Sequence, residues 1–414
     1  MIPGPTNWMR ARAGGRSGIG DPALVAVAGL LTVLGIAMIY SAGQVELPSA
    51  VSGVWRRQLV WAVGACGAFY LASRVPLRWL EWASPWLYAA SICLLILVLV
   101  IGTGPNTRSW LSFGPVNLQP AELAKLATIL MLARDLTGHE SSRQRLAGVW
   151  RPLAIVLAPF GLVLVQPDLG SALIFSVILI CALVWAGVPL ASIFLLLSPA
   201  VSLVLGFSAV VWGVWFVAVV AFLYLRRTFA LEAVAVGAAN LAAGALTLPL
   251  WNSLAEYQQN RLLVFLNPGI DPRGAGWHLI QSKVAIGSGG WFGYGYGNGP
   301  QKRLAFLPEQ HTDFIFSVVG EELGFVGVVA FLLLFAWFLS RVLRVARRST
   351  NEFGSIAAFC LFGVWTAHVA INVGMTVGLM PVTGLPLPFL SYGGSFLFML
   401  FAGLGVVSRV GAER

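Results

Sequence analysis

By length alone, a chain of 414 residues could hold two or three soluble domains. The composition excludes that organisation, because 58% of the residues are hydrophobic and only 10% are charged, and the mean hydropathy is +0.83. Soluble proteins carry about 25% charged residues, so this sequence predicts a polytopic membrane protein. The net charge of +10 would fit a nucleic-acid partner, but the positions of the basic residues contradict that interpretation.

The basic residues are concentrated in the segments that are predicted to face the cytoplasm. With the amino terminus placed inside, these segments contain seventeen of the 26 basic residues: Arg10, Arg12, Arg16, Arg74, Arg78, Arg134, Arg143, Arg145, Arg151, Arg226, Arg227, Arg341, Arg344, Arg347, Arg348, Arg409 and Arg414. This is the positive-inside pattern of membrane proteins. The charge therefore indicates topology, and no nucleic-acid partner is expected.

The predicted membrane spans follow one another through most of the chain. Residues 1–20 are rich in Gly and Arg and are predicted to form a cytoplasmic tail. The apolar run 24–42 is long enough to cross a ~30 Å hydrocarbon core, and it ends without a cleavage signature, so it is predicted to be a first helix rather than a removed signal. The further predicted spans are 57–72, 84–102, 120–136, 152–166, 170–187, 190–206, 208–225, 229–250, 314–339, 353–375 and 385–407. Twelve spans place both termini in the cytoplasm.

One long connection, 251–312, differs in composition from the rest of the chain. It is rich in Gly and aromatic residues and contains Asp271, His278, Lys283 and His311, with Asp313 directly after it. Long ordered connections between rigid elements commonly carry function. We therefore expect an extracytoplasmic catalytic loop here, in which the two histidines are satisfied loop residues rather than metal ligands.

Several predicted spans contain polar residues at their outer ends. Glu122 and Lys125 are three residues apart and so share one helix face, and Asp168 stands in the motif QPDLG between two spans. Glu321 and Glu322 lie within the tenth span. Charges inside spans are costly and face a bundle interior or a wet cavity, so the sequence predicts a polar cavity that opens outward.

The last connection reads PVTGLPLPFLSYGG, and its three prolines are expected to interrupt a helix. Irregular backbone at membrane depth persists only where protein buries it or where it lines a cavity. This segment is therefore predicted to be buried by protein or to line the outward cavity. Separately, His368 is expected to be a buried neutral histidine in the middle of a span.

Each candidate residue has a structural interpretation beside the functional one. Asp271 in NPGIDPRGAGWH suits a turn as well as a general base or a metal ligand. Glu122 and Lys125 suit an ion pair that neutralises charge in the bundle, and the ammonium could also hold a phosphate. Asp168 suits the N-cap of the following helix. The residues alone leave these alternatives open.

A set of cations on the predicted outer side runs against the positive-inside bias. The set is Arg56, Arg57, Arg108, Arg261, Arg273, Lys283, Lys302 and Arg303. Basic groups at the outer leaflet suit a phosphorylated or pyrophosphorylated lipid, since Arg offers bidentate contacts to phosphate. Anchoring to lipid head groups is the alternative.

Ordered motifs give the chain a family resemblance. They are RSWLSFGPVNLQPAELAKL at 108–126, QPDLG at 166–170, DPRGAGWHLIQSKVAIGSGG at 271–290, FLPEQHTDFIFSVVGEELGFVG at 306–327 and PVTGLPLPFLSYGGS at 381–395. Together they resemble the SEDS family of bacterial cell-wall polymerases. The segments QSKVAIGSGG and FLPEQHTDF resemble the elongation branch of this family, RodA, more than its division branch, FtsW.

The resemblance implies an all-α polytopic fold of about ten to twelve transmembrane helices, a single domain over 21–414, and a peptidoglycan glycosyltransferase that polymerises lipid II on the outer face of the cytoplasmic membrane. It implies Asp271 as the catalytic carboxylate, Glu122, Lys125 and Asp168 as supporting cavity residues, and a divalent cation, Mg²⁺ or Mn²⁺, as cofactor, with Asp271 as a possible ligand and no organic cofactor. The candidates for the substrate pyrophosphate are Arg108, Arg273 and Lys283.

The resemblance also implies partners. A class B penicillin-binding protein would supply the transpeptidase, beside other membrane proteins of the elongation complex. The chain departs from the family in having Ala121 and Trp277 where Ser and Tyr are common, and in a predicted inserted helical hairpin at 189–225 that adds two spans to the usual ten.

Two other functions fit many spans with intramembrane charges. A lipid II flippase would use broken helices and polar groups across the whole membrane, whereas these candidates cluster at the outer end and no inverted repeat is visible. A non-catalytic scaffold would not need the acidic loop. The division-specific role of the paralogue is the alternative within the family.

Overall fold

The structure is a computed structural model, and it describes residues 20–46, 51, 53–104, 109–114, 116–138, 146–267, 269, 271, 274, 276–307 and 309–413. Most of this part of the chain is helical. The helices are α1 (Pro22–Ala42), α2 (Val54–Arg74), α3 (Leu77–Ile101), α4 (Pro120–Leu136), α5 (Trp150–Val165), α6 (Leu169–Trp185), α7 (Leu190–Leu205), α8 (Ala209–Arg226), α9 (Ala230–Ser253), α10 (Glu256–Leu266), α11 (Trp277–Ser288), α12 (Pro300–Arg303), α13 (Ile315–Arg348), α14 (Glu352–Val377) and α15 (Gly394–Ala412).

Local sequence signals account for where several helices begin and end. Asp21 caps α1, accepting from the Ala23 backbone N–H at 3.1 Å, and Pro22 occupies the first helical position. Asn351 caps α14 in the same way, accepting from the Gly354 N–H at 2.8 Å. That helix ends at Gly378, which has φ 82°, a left-handed conformation that favours glycine.

All twelve predicted spans correspond to helices, so the predicted all-α polytopic fold is confirmed. Seven described helices are long and apolar enough to cross a membrane, namely α1, α3, α8, α9, α13, α14 and α15, and α5, α6 and α7 are shorter apolar helices. The last helix begins at Gly394 rather than near 385, because the proline-rich segment before it is irregular. The protein is an integral membrane protein.

Helix α14 lies at the centre of the bundle, where it contacts α4, α6, α11, α13 and α15. Helix α15 also packs along α2, and α4 packs along α3. By contrast, α8 presents Val210, Val214 and Val217 to the surroundings with 77%, 69% and 67% exposure. A helix that is apolar on its exposed face is the expected lipid-facing element.

The predicted hairpin at 189–225 corresponds to α7 and α8, which associate with α9. Polar groups join α7 to α9 in this unit. The Ser202 hydroxyl donates to Asn240 Oδ1 at 2.7 Å, and Asn240 Nδ2 donates to Ser198 Oγ at 2.8 Å. Hydrogen bonds of this kind hold membrane helices together where the hydrophobic effect cannot. Whether the hairpin is an insertion relative to the family stays a prediction.

Two short strands precede α4 and were not predicted. Strands β1 (Leu111–Phe113) and β2 (Val116–Leu118) pair antiparallel, with Ser112 opposite Asn117. The tight turn between them includes Gly114 at φ 62°, a conformation that glycine adopts readily. The hairpin brings the chain to the first turn of α4.

The long connection contains helices rather than continuous loop. Helices α10, α11 and α12 all lie between α9 and α13, and α11 packs against α13 and α14. The buried Ser282 hydroxyl fixes this packing, since it lies 2.7 Å from Ser317 Oγ and donates to the Thr376 carbonyl at 2.7 Å. Helix α11 was not predicted, because it is short and the Gly-rich composition around it masks its amphipathic pattern.

The Gly-rich segment after α11, residues 289–299, forms backbone hydrogen bonds with α13 where that helix is interrupted. Gly324 has φ 64° and ψ −167°, which interrupts the helix, in a region of backbone space open essentially only to glycine. The freed groups bond to the Gly-rich segment: Phe325 N–H donates to the Gly290 carbonyl at 2.8 Å, and Tyr294 N–H donates to the Glu321 carbonyl at 3.1 Å. The glycines therefore serve backbone pairing at a helix break.

Candidate functional site

The candidate cavity residues meet where α4 and α6 begin. Asp168 is the N-cap of α6, as predicted, and its Oδ1 accepts from the Ser171 N–H at 2.9 Å. Its Oδ2 accepts from Gln119 Nε2 at 3.1 Å, and Gln119 is the N-cap residue of α4. The two helix N-termini are thus joined through one carboxylate, which also benefits from the positive end of the α6 dipole.

The ion pair between Glu122 and Lys125 is confirmed. Lys125 Nζ lies 2.7 Å from Glu122 Oε1, and the two residues are only 3% and 6% exposed. Their i,i+3 spacing on the first turns of α4 brings them together. Both charges are desolvated, so each depends on the other for compensation.

A small cavity of about 30 Å³ adjoins this ion pair. Besides Glu122 and Lys125, it is lined by His368 and Trp365 of α14 and by Phe396 of α15. His368 is fully buried, as expected. The cavity therefore lies between the central helix, α4 and the start of α15.

The proline-rich segment 381–393 covers this region, and protein groups satisfy its irregular backbone. Asn372 Nδ2 donates to the Leu385 carbonyl at 2.8 Å, and His368 Nδ1 lies 3.0 Å from the Pro386 carbonyl. The Ser391 hydroxyl donates to the Thr312 carbonyl at 2.7 Å. Protein groups therefore satisfy this irregular backbone, which is one of the two arrangements expected from the sequence.

Asp271 lies in a turn between α10 and α11 and is partly exposed. Its Oδ1 accepts from the Gly274 N–H at 2.9 Å, and its carbonyl accepts from the Gly276 N–H at 2.9 Å. The turn interpretation is therefore correct, and the residue is partly exposed. Its catalytic role stays a prediction.

The three pyrophosphate candidates differ in what can be said of them. Arg108 and Arg273 lie outside the described residues. Lys283 is exposed on α11, and its ammonium end lies against Gly378 at the C-terminus of α14. A cation is favoured beside the negative end of a helix dipole, so this position suits Lys283 without any ligand.

Asp313 was not among the predicted site residues, but it lies just before the start of α13 in a distinctive environment. It is partly buried, and its charge interacts with those of Glu309, Arg261 and Asp168. Burial raises the pKa of Asp313 to about 7, Glu309 and Asp168 raise it as well, and Arg261 lowers it. Such a carboxyl changes protonation near neutral pH, as a general acid or base requires. The HTDF motif was the only signal for it.

The two loop histidines belong to the same neighbourhood. Burial lowers the pKa of His278, with Arg261 lowering it further and Glu309 opposing the change. Burial also lowers the pKa of His311, again against Glu309. Both are therefore neutral at pH 7. Within the described ranges no group of three His, Cys, Asp or Glu side chains could hold a metal ion.

One outward cation is not what the sequence suggested. Lys302 was predicted with the phosphate-facing cations, but it is fully buried and pairs with Glu322 of α13. Its ammonium also donates to the Ser41 hydroxyl of α1 at 2.8 Å. Arg303 is exposed and forms an ion pair with Glu46 at 3.2 Å. The interpretation of Lys302 as a head-group ligand is therefore wrong.

These features define a polytopic helical membrane protein in which a buried ion pair and His368 border a small cavity between α4, α14 and α15. The chain belongs to the family described as FTSW_RODA_SPOVE, Cell cycle protein, which matches residues 22–414. The family predicted from the sequence motifs is thereby confirmed.

Curated relatives match along nearly the whole chain. A peptidoglycan glycosyltransferase RodA of Treponema pallidum is 35% identical over 93% of this chain and 95% of its own. A peptidoglycan glycosyltransferase MrdB of Escherichia coli is 34% identical over 95% of this chain and 94% of its own. A probable peptidoglycan glycosyltransferase FtsW of Trichlorobacter lovleyi is 35% identical, over 95% and 93%.

A solved structure supports the same fold. A chain described under the words "Structural coordination of polymerization and crosslinking by a peptidoglycan synthase complex" is 31% identical, with a TM-score of 0.69, over 95% of this chain and 98% of that chain. The arrangement of helices is therefore shared with a structurally known relative.

Proposed function

We propose that this protein is a peptidoglycan glycosyltransferase that polymerises glycan strands from lipid II during cell elongation. The sequence predicts a peptidoglycan glycosyltransferase, and its relatives are named as members of the same enzyme class. Lipid II as substrate and the outer face of the cytoplasmic membrane as the place of reaction are parts of the proposal. Both termini then lie in the cytoplasm.

One observation carries the proposal: the polar side chains converge on one end of the bundle. Asp168 and the Glu122–Lys125 pair stand in the first turns of α6 and α4, and Asp313 stands directly before α13. Lys283 lies at the end of α14. A transporter would need polar groups at several depths, whereas a transferase at one surface needs them only there.

The reaction joins the 4-hydroxyl oxygen of one lipid II to the anomeric carbon of the growing strand. The bond from that carbon to the pyrophosphate oxygen breaks, the electron pair leaves with the pyrophosphate, and the hydroxyl proton passes to Asp271. Base catalysis of this kind contributes about 10²–10⁴-fold. Cationic groups such as Lys125 and Lys283 would stabilise the departing pyrophosphate. Direct displacement inverts the configuration at the anomeric carbon.

A divalent cation remains part of the proposal. The described residues offer no set of three ligands for it, but Mg²⁺ is commonly held by one or two carboxylates together with substrate phosphates. Asp271 fits that mode, since it is a partly exposed carboxylate residue in a turn. The ion would neutralise charge that develops on the pyrophosphate.

A class B penicillin-binding protein is the proposed partner. The chain has the fold of a protein in a complex whose description names both polymerization and crosslinking. A crosslinking transpeptidase bound in the membrane would act on the strand as it is made. Copurification of the two tagged proteins from membranes, against a single-span control protein, tests this partner.

The experiment is a polymerisation assay with the purified protein, labelled lipid II and Mg²⁺, with and without the class B partner. Asp271→Asn replaces the base with an amide of the same shape and is expected to lower the rate by about 10²–10⁴-fold. Asp135→Asn is the matched control, because Asp135 lies on the last turns of α4, away from the outer end.

The outcomes separate the functions. A glycan ladder that is lost in Asp271→Asn and kept in Asp135→Asn supports the polymerase and its base together. A ladder that persists in Asp271→Asn contradicts the base assignment but not the enzyme. No ladder in the wild-type protein, even with the partner, contradicts the polymerase and favours a lipid II translocation assay in vesicles.

A further inference from the structure

His368 stands fully buried in α14, at the wall of the small cavity beside the Glu122–Lys125 pair. Its ring is stacked on Phe396 of α15, with ring centroids 5.0 Å apart and planes at 29°. Its Nδ1 lies 3.0 Å from the Pro386 carbonyl oxygen. Both contacts fix the orientation of the imidazole.

The contact with Pro386 also determines which ring nitrogen carries the proton. A carbonyl oxygen only accepts hydrogen bonds, so Nδ1 must be the N–H donor. In the neutral imidazole, Nε2 is then an acceptor. The ring is fully buried, and burial favours the neutral imidazole because an uncompensated buried charge is costly.

Among the described residues, His368 Nε2 is a buried polar atom without a hydrogen-bond partner. A buried acceptor without a donor is costly. The cavity that His368 lines has a volume of about 30 Å³, enough for a water molecule, which needs roughly 10–15 Å³ and two to four polar partners. Lys125 and Glu122 line the same cavity and can supply the other partners.

We propose that His368 is a positioning residue that fixes the Lys125 ammonium through one water molecule in this cavity. The water donates to His368 Nε2 and to the Glu122 carboxylate, and it accepts an N–H of Lys125. Lys125 uses one N–H for Glu122 at 2.7 Å and so has two more to offer. His368 thereby links the proline-rich segment to the cation beneath it.

The consequence for catalysis rests on the proposed function. Lys125 stabilises the departing pyrophosphate only if its ammonium points in one direction before the reaction begins. Without the acceptor at Nε2, the ammonium keeps its charge but loses one of the groups that orient it. We therefore expect an effect on kcat rather than on the KM for lipid II.

Two amide variants separate the two nitrogens. His368→Gln places an acceptor near the position of Nε2 and gives up the donor to Pro386, whereas His368→Asn keeps a donor near Nδ1 and gives up the acceptor in the cavity. We expect His368→Asn to lower kcat by about ten- to a hundredfold, as for a lost hydrogen bond in a charged network. KM should change by less than about threefold. His368→Gln should retain most of kcat.

The opposite order, active Asn and inactive Gln, would show that His368 only holds Pro386 and would overturn the proposal, as would two fully active variants. If both amides are inactive, a melting-temperature cycle decides. The melting temperature is measured for His368→Asn, for Lys125→Met and for the double variant. The fall in the double variant should be clearly smaller than the sum of the falls in the two single variants. Additive shifts overturn the proposal.

The melting-temperature cycle also keeps this inference apart from the proposed function. It needs no lipid II, so coupling between His368 and Lys125 can be measured even if the purified wild-type protein makes no glycan. An inactive wild type with a coupled cycle contradicts the polymerase alone. An active wild type with an uncoupled cycle contradicts the positioning role alone.

Discussion

The buried pair of Lys302 and Glu322 gives the sharpest stability prediction. Both residues are fully buried, and Ser41 bonds to both of them, donating to Glu322 Oε1 at 2.6 Å and accepting from Lys302 at 2.8 Å. Lys302→Met removes the ammonium and leaves the carboxylate with only a hydroxyl donor. Breaking a buried pair in this way costs about 3–5 kcal/mol. We expect a loss of that size in the free energy of unfolding.

The double variant makes the reasoning testable. Lys302→Met with Glu322→Gln leaves no uncompensated charge, and the glutamine can still accept from Ser41, so the double variant should recover about 2–3 kcal/mol relative to the single one. Denaturant unfolding of the detergent-purified proteins, followed by tryptophan fluorescence, measures both values. A single variant that loses less than about 1 kcal/mol, or a double variant as unstable as the sum of the two single ones, refutes this account.

Two further predictions concern the same outer region. In Gly324→Ala, a Cβ would lie 2.6 Å from Phe292 N and closer still to Gly293 N, on a backbone at φ 64° that costs about 1–3 kcal/mol for other residues. The melting temperature should fall well below that of the control Gly287→Ala, where nothing lies within 4 Å; equal values contradict the strain argument. Asp313 has a pKa raised to about 7 by burial, against about 3.9 in an unfolded chain, so its contribution to stability is complete below about pH 4 and is lost as the pH rises to about 7. Asp313→Asn should remove this dependence from melting curves recorded between pH 4 and 8, and an unchanged slope would contradict it.

Local sequence signals predicted the parts of the molecule that depend on neighbours along the chain. The spans follow from runs of apolar residues, since a bilayer admits little else. The Glu122–Lys125 pair follows from i,i+3 spacing, and the cap at Asp168 follows from the preference of Asp for helix N-termini. Each of these contacts joins residues at most a few positions apart.

Contacts between distant segments were not predictable in the same way. Lys302 and Ser41 are 261 residues apart in sequence, and nothing in either local segment indicates that they meet. For the same reason Lys302 was taken for an exposed cation. The neighbourhood of Asp313 brings together three separate segments, which contain Glu309 with Asp313, Arg261 and Asp168. Only the fold therefore reveals that the Asp313 carboxyl is partly desolvated.

The two buried ion pairs, Lys302–Glu322 and Lys125–Glu122, differ in their surroundings. We infer that the first is structural and that the second is available for chemistry. Lys302 donates to both Glu322 and Ser41, and α12 is held as well, since Gln301 N–H donates to Glu321 at 2.6 Å. The Lys302 ammonium therefore has two protein acceptors, Glu322 and Ser41.

Lys125 has one protein acceptor among the described residues, Glu122, and faces a cavity with room for water. We therefore expect Lys125→Met to reduce polymerisation at least tenfold, with a smaller fall in melting temperature than Lys302→Met. The cavity lets water hydrate the remaining Glu122, which lowers the cost of breaking that pair. Parallel activity and melting measurements on the two variants test this, and the reverse ranking of melting temperatures would show that the cavity does not relieve the buried carboxylate.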